Sequence, residues 1–268
     1  MKPQGFPLLR KLLAESWRST LGWSFGLLAV MLMYLPLYPS IGGSPQMRDL
    51  LAALPQEMIK ALNYEQISSG PGYAQATFFG LTGFLLMSIA SISWGADAIG
   101  GDEEAGLLEL TLAHGVTRTQ VVLERAAALA LRILVLAALV LVVVLVLNAP
   151  AQLGIDTANV FAGVLMFALV ALLSGTGALV AGALTGRKVF GVATGTAIAV
   201  IGYVFNALGN QSQDLQWLHN FSPYYWAYGQ APLLSGVPWA AVAGLGGLSL
   251  LFIVTSVVAL RQRDVGTS

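Results

Sequence analysis

The sequence predicts an all-α polytopic membrane protein, and three observations carry that prediction. Hydrophobic residues fill 56% of the 268 positions and charged residues only 10%, and the mean hydropathy is +0.75, a composition that suits a bilayer better than a soluble core. Six apolar segments, at approximately 21–38, 75–97, 126–147, 158–184, 189–208 and 237–260, are each long enough to cross roughly 30 Å of hydrocarbon as a helix. The third observation is the sidedness of the 13 basic residues. With both termini in the cytoplasm, Lys2, Arg10, Lys11, Arg18, Arg118, Arg125, Arg187, Lys188, Arg261 and Arg263 fall inside, whereas only Arg48 and Lys60 fall outside, as the positive-inside rule requires. A multi-pass cell-membrane protein is expected, with one transmembrane domain over 1–268: an interfacial stretch at 1–20, a six-span bundle at 21–260 and a tail at 261–268. No signal peptide is expected, because the first apolar run starts late and no Ala-x-Ala site follows it. Cysteine is absent, which excludes disulfides and thiol chemistry.

Residues 8–18 read as an amphipathic helix. Leu8, Leu9, Leu12, Leu13, Ser16 and Trp17 fill one arc of a helical wheel, and Arg10, Lys11, Ala14, Glu15 and Arg18 the other. Such a helix is expected to lie in the inner interface, with Trp17 in the headgroup zone and its basic residues near anionic lipid. Between the first two spans, Leu50, Leu51, Leu54, Met58, Ile59 and Leu62 recur at helical spacing, predicting one or two short helices on the outer surface, broken at Pro55. Ser69, Gly70, Pro71 and Gly72 form a turn signal before the second span.

The run GDEEAGLLELTLAHGVTRTQVVLER at 101–125 interrupts this apolar chain with a dense patch of charge. Asp102 is an expected N-cap, and Glu103 and Glu104 favour the positive end of a helix dipole. A helix over about 103–113 follows, stopped by Gly115. Thr117-Arg118-Thr119-Gln120 has capping-box spacing, so a new helix should start there and continue into the third span. Leu107, Leu108, Leu110 and Leu112 give the short transverse helix apolar surface beside its acids. That composition suits a helix in a partner's groove, and equally a loop helix packed on the membrane interface.

Within the spans, Arg132 is the one basic residue, and Asp97 at the end of the second span is its expected partner in an intramembrane ion pair. Gly22/Gly26, Gly182/Gly186 and Gly191/Gly195 have G-x-x-x-G spacing, which permits close helix packing. Ala199 and Gly202 extend the small face of the fifth span and make it a candidate dimer seam or pathway wall. The loop 209–236 carries Trp217, Phe221, Tyr224, Tyr225, Trp226 and Tyr228, readable as an interfacial aromatic belt or as a short re-entrant helix forming an outer gate. His114 and His219 are the only histidines, lie outside the spans and lack ligand spacing, so no metal site is expected.

The run 101–125 resembles the cytoplasmic loop of type 2 ATP-binding-cassette (ABC) transporter permeases, with Glu104, Gly106, Leu108, Glu109, Leu110, Thr117 and Arg118 at matching positions. LLAALPQEMIKAL…GPGY in the outer loop and LHNFSPYYWAYGQAPLLSG before the last span resemble the same family. Leu107, where Thr is common, and His114, in a turn that is often Pro or a small residue, depart from the pattern. The resemblance implies that the transverse helix is a cytoplasmic coupling helix, with Glu103, Glu104, Gly106, Leu107, Leu108, Glu109, Leu110 and Arg118 engaging an ABC ATPase subunit.

The nearest glycine-rich run, TGRKVF at 185–190, has Val where a phosphate loop needs Ser or Thr. ATP and magnesium are accordingly expected in two copies of a separate ATPase, beside a second permease copy or a similar permease, with no cofactor in this chain and no nucleic-acid partner. Family architecture adds Phe84, Met87, Tyr203, Phe205 and Asn206 as a candidate path for a hydrophobic small-molecule, lipid or peptide substrate moved outward. An intramembrane enzyme would need catalytic groups within the spans, and none is present. A secondary transporter, the main alternative beside a membrane assembly factor, would bury coupling carboxylates near the midplane. Asp97 at a span end does not meet that need.

Overall fold

The computed structural model describes residues 7–55, 58–59 and 66–264. Among the described residues six helices are long and apolar enough to cross a membrane: Leu8–Leu37, Gly70–Glu104, Arg118–Asn148, Thr157–Thr185, Lys188–Gly209 and Trp239–Gln262. They are the first to sixth spans below. All six expected segments are present, and no strand occurs among the described residues. One end of the bundle gathers the charged residues of 97–125, Lys188 and Arg263 and is called the charged end. Lys2, Lys60 and Leu62 lie outside the described residues.

The fourth span is the axis, with 78% of its apolar window buried. It meets the second, third, fifth and sixth spans, and small residues let the backbones close up. A Cβ on Gly95 would lie 2.0 Å from the Gly175 carbonyl oxygen, and one on Gly195 would lie 2.8 Å from the Ser174 carbonyl oxygen. The small face of the fifth span therefore packs inward, against the second and fourth spans. This corrects its reading as a dimer seam, because the bundle has already used the close approach that the glycines permit. The Gly22/Gly26 pair of the first span has the opposite setting, with nothing within 4 Å of either position.

The amphipathic stretch at 8–18 is not a separate interfacial element. One helix, Pro7–Tyr34, runs through it into the span. No Gly or Pro lies between Leu8 and Leu21 to break it, and Thr20 and Ser24 satisfy their hydroxyls on the carbonyls of Ser16 and Thr20. At about 1.5 Å per residue the 28-residue helix is roughly 42 Å long, so about two turns project beyond the hydrocarbon. Leu27, Met31 and Leu35 bury one face, while Phe25, Leu32 and Met33 stay exposed.

In the loop after the first span, helix Pro45–Ala53 ends just before Pro55. Ser69 then begins the second span, its hydroxyl accepting from the Gly72 N–H at 3.2 Å; the turn signal is a helix start. That span contains two π-helical segments, Gln75–Thr82 and Asp97–Gly101. In the loop before the last span the aromatics divide. Trp217 and Phe221 are exposed, whereas Tyr224 and Tyr228 on the short helix Pro223–Tyr228 are buried. A second, smaller core at the charged end joins Ile99, Leu108, Val121, Val122, Leu179 and Leu260.

Candidate functional site

The joint between the second and third spans is built by two glycines and a threonine. The second span does not stop at Asp102; its helix continues through Glu104. Gly106, at φ +70°, turns the chain into helix Leu107–Ala113, and Gly115, at φ +81°, ends it, both in the left-handed region that L side chains avoid. Thr117 then caps the third span, its hydroxyl accepting from the Gln120 N–H at 3.2 Å. The expected single helix over 103–113 is thus two pieces divided at Gly106, and Asp102 is not an N-cap. Its residue has helical dihedrals inside the preceding helix.

Leu108 is fully buried in the smaller core, and Leu107 and Leu110 are 50% and 60% exposed. One helix face anchors and the other is presented. Glu109, Ala113 and His114 are exposed beside the presented face, and the His114 ring lies 2.6 Å from the Leu110 carbonyl oxygen.

The acids just before this helix are directed inward, onto other spans. Asp102 meets Arg125 at 2.6 Å, and Arg125, 4% exposed, also donates to the Ala98 carbonyl. Glu103 pairs with Arg263. Glu104 accepts from the Lys188 N–H at 3.1 Å, which caps the N-terminus of the fifth span where a carboxylate is favoured. Arg118 caps the sixth span, donating to the carbonyls of Leu260 at 2.9 Å and Arg263 at 2.5 Å. Glu124, 1% exposed, receives the Leu9 N–H and the Gln120 amide, each at 2.7 Å. The ends of the first, second, third, fifth and sixth spans are therefore tied to one another around the short helix. Lys188, Arg263, Glu124 and Arg125 were not among the site residues expected from sequence; their one signal was position, each being a charged residue within a turn or two of a span end.

The expected Asp97–Arg132 ion pair does not form. Asp97 pairs with Lys188 at 2.5 Å, because the fifth span brings that ammonium to the end of the second. Arg132 instead lies over the Trp94 ring at 3.8 Å and donates from Nε to the Thr20 hydroxyl at 3.3 Å.

Of the residues expected along a substrate path, Phe84 and Met87 are buried in the main core, where they pack against protein. Phe84 and Tyr203 each meet Tyr224 edge-on, at 5.2 and 5.1 Å. Asn206 is 2% exposed, with its side-chain oxygen lacking a hydrogen-bond partner, and Phe205 is half-buried. Tyr224 thus gathers Phe84 and Tyr203. His219 stacks on Tyr225 at 3.8 Å and 4°, and burial holds its pKa below the ordinary imidazole value, against a smaller opposing effect of a hydrogen bond with Asn206. No group of three His, Asp or Glu side chains suited to a metal occurs among the described residues.

No curated protein matches the chain. The family described as ABC-2 family transporter protein does, over residues 7–265. That match takes in all six spans and the glycine-divided joint with its ion pairs, and so the chain belongs to the ABC-2 family, the membrane permeases of ABC transporters.

Proposed function

We propose that the chain is one permease half of an ABC exporter, driven by ATP that a separate ATPase subunit hydrolyses. The charged end is cytoplasmic, as are both termini, and helix Leu107–Ala113 sits in a cleft of the ATPase. The observation that carries this reading is the division of that helix into a buried anchor, Leu108, and a presented pair, Leu107 and Leu110. Leucines exposed beside Glu109 suit a groove on a partner, and in the alternative they would rest on the membrane interface. Closure of two ATPase copies would move the helix, and the ion pairs around it would pass the motion to the spans as a rigid group. The second permease half is another copy of this chain or a similar permease.

Export of a hydrophobic or amphipathic molecule fits the apolar faces of the spans, where Phe25, Val200, Ile201 and Val204 are exposed. A secondary transporter fits less well. Its coupling carboxylate would sit near the midplane, whereas the fully buried carboxylate here, Glu124, lies seven residues into the third helix and is bound by Leu9 and Gln120.

The test is copurification of an ABC ATPase with the tagged full chain from its native host, followed by ATP-dependent transport in proteoliposomes. L107D/L110D, on the presented face alone, should lose the ATPase while the chain stays folded. Retention of the ATPase by that variant, or transport that proceeds without ATP, would overturn the reading.

A further inference from the structure

A cavity of about 260 Å³ lies between the first, second and third spans, lined among others by Ser19, Ser93, Trp94, Asp97, Arg125 and Arg132. Its carboxylates are already matched: Asp97 by Lys188 at 2.5 Å and Asp102 by Arg125 at 2.6 Å. Among the described residues Arg132 makes no ion pair within 4 Å, and Asp97, held by Lys188, attracts it only at longer range. One face of its guanidinium is fixed on Trp94 at 3.8 Å, and Nε is held by Thr20 at 3.3 Å. Among the described residues its Nη1 and Nη2 donors have no protein acceptor. Ser19 accepts from the Trp94 indole N–H at 3.1 Å, which leaves its own hydroxyl proton free to donate. A stacked guanidinium with free terminal nitrogens, flanked by hydroxyls, is a fork for two oxygens of one anion.

Depth identifies the anion. Arg132 stands 16 residues before Asn148, the far end of the third helix, or roughly 24 Å along it; with Asn148 placed at the far boundary of a hydrocarbon core of about 30 Å, it lies about 6 Å inside the near one. An arginine stem snorkels over that distance to the headgroup level. Leu131, Leu134 and Val135 on the same helix, and Leu21 on the first, are exposed and offer a surface for acyl chains.

We propose that this cavity binds the phosphate of a phosphorylated amphiphile in the leaflet at the charged end, held by the Nη1 and Nη2 donors of Arg132 with the Ser19 and Ser93 hydroxyls beside it. The site adjoins the groove lined by Leu107 and Leu110, with Asp102 and Arg125 lining both, and does not depend on the ATPase reading.

Native mass spectrometry of the delipidated full chain tests it, with dioleoyl phosphatidylglycerol, dioleoylglycerol and glycerol 3-phosphate as probes. The chain should retain the phosphatidylglycerol about tenfold or more over dioleoylglycerol, the scale of one charge-assisted hydrogen-bonded contact. R132Q should lose that preference and R132K should keep part of it, whereas R18Q, a change to an exposed arginine, should keep all of it. Should R132Q fail to fold, Ser93→Leu fills the cavity without removing a charge, and retention should again fall. Equal retention of dioleoylglycerol, or unchanged retention in folded R132Q and Ser93→Leu, overturns the site. Glycerol 3-phosphate bound as tightly as the lipid overturns the membrane source and assigns the phosphate to a soluble ester.

Discussion

Asp102 and Arg125 meet at 2.6 Å across the joint where the second span gives way to the third, and Arg125 is 4% exposed. The pair ties the base of one helix to the next through a guanidinium that water barely reaches. Removing one member of such a pair leaves a buried charge without compensation, at a cost of about 3–5 kcal/mol, while replacing both by apolar groups is often close to neutral. D102N should therefore lower the melting temperature in detergent sharply, and D102L/R125M should recover most of the loss. A double mutant as unstable as D102N would show that Arg125 matters for another contact, such as its bond to the Ala98 carbonyl.

Gly106 makes a second, separable prediction. Its φ of +70° comes with no atom within 4 Å of a built Cβ, so a side chain there meets strain and no clash. G106A should cost about 1–2 kcal/mol and G106N less, because Asn tolerates the left-handed region. If helix Leu107–Ala113 is the lever on the spans, ATPase stimulation by the reconstituted permease should fall in the same order. Equal stimulation in all three proteins would show that the bend does not govern coupling.

What sequence made legible here, and what it hid, follows from the range of the forces. The spans, the stop at Gly115 and the start at Thr117 are local: apolar runs, a left-handed glycine and a capping hydroxyl act within a few residues. The partners of the acids are not local. Asp102 reads as the N-cap of a new helix, yet a Cβ on Gly100 would lie 2.7 Å from the Arg187 backbone. The glycine there serves a close approach of the fifth span, and the helix passes through it. That approach also delivers Lys188 to Asp97, which no spacing within either helix announces. The small face of the fifth span misleads for the same reason, since Gly-x-x-x-Gly permits a close neighbour without saying which one.

Asp97 and Arg132 separate accordingly. Asp97 and Lys188 are 48% and 45% exposed in their side chains, a setting in which an ion pair is worth about 1 kcal/mol or less. D97N should be nearly silent in a thermal melt. R132Q loses the stack on Trp94, a contact worth about 0.5–2 kcal/mol, and should be the more damaging change. The swap D97R/R132D should not rescue either single variant; rescue would restore the direct pairing that the geometry denies.

His219 makes the loop between the fifth and sixth spans sensitive to acid. Burial is the larger influence on its pKa and lowers it, so the folded loop holds the neutral ring while the unfolded chain binds a proton at an ordinary value near 6.5. The stabilisation is complete above that ordinary value and is lost as pH falls through the depressed one. Protection factors of the 209–236 amides, taken against the intrinsic exchange rate at each pH, should be higher at pH 7.5 than at pH 5.5, and H219Q should flatten the difference. An equal pH response in H219Q would move the origin away from the stack on Tyr225.

Tyr224 gives the last prediction, at the opposite end of the bundle. Its hydroxyl donates to the Gly80 carbonyl at 2.7 Å, inside the π-helical segment Gln75–Thr82, and its ring receives Phe84 and Tyr203. A widened turn leaves carbonyls that need donors from elsewhere, and here a loop helix supplies one, the Tyr224 hydroxyl. Y224F keeps the ring contacts and strands one buried carbonyl, at a cost of about 1–3 kcal/mol. G80A is the steric counterpart, because its Cβ would lie 2.6 Å from the Tyr224 hydroxyl and would push helix Pro223–Tyr228 out of the bundle. If that helix gates the far side, G80A should raise substrate leak without ATP, and Y224F should destabilise the protein while leaving the gate seated. Leak raised equally by both would mean that the hydrogen bond, and not the packing of the ring, holds the gate shut.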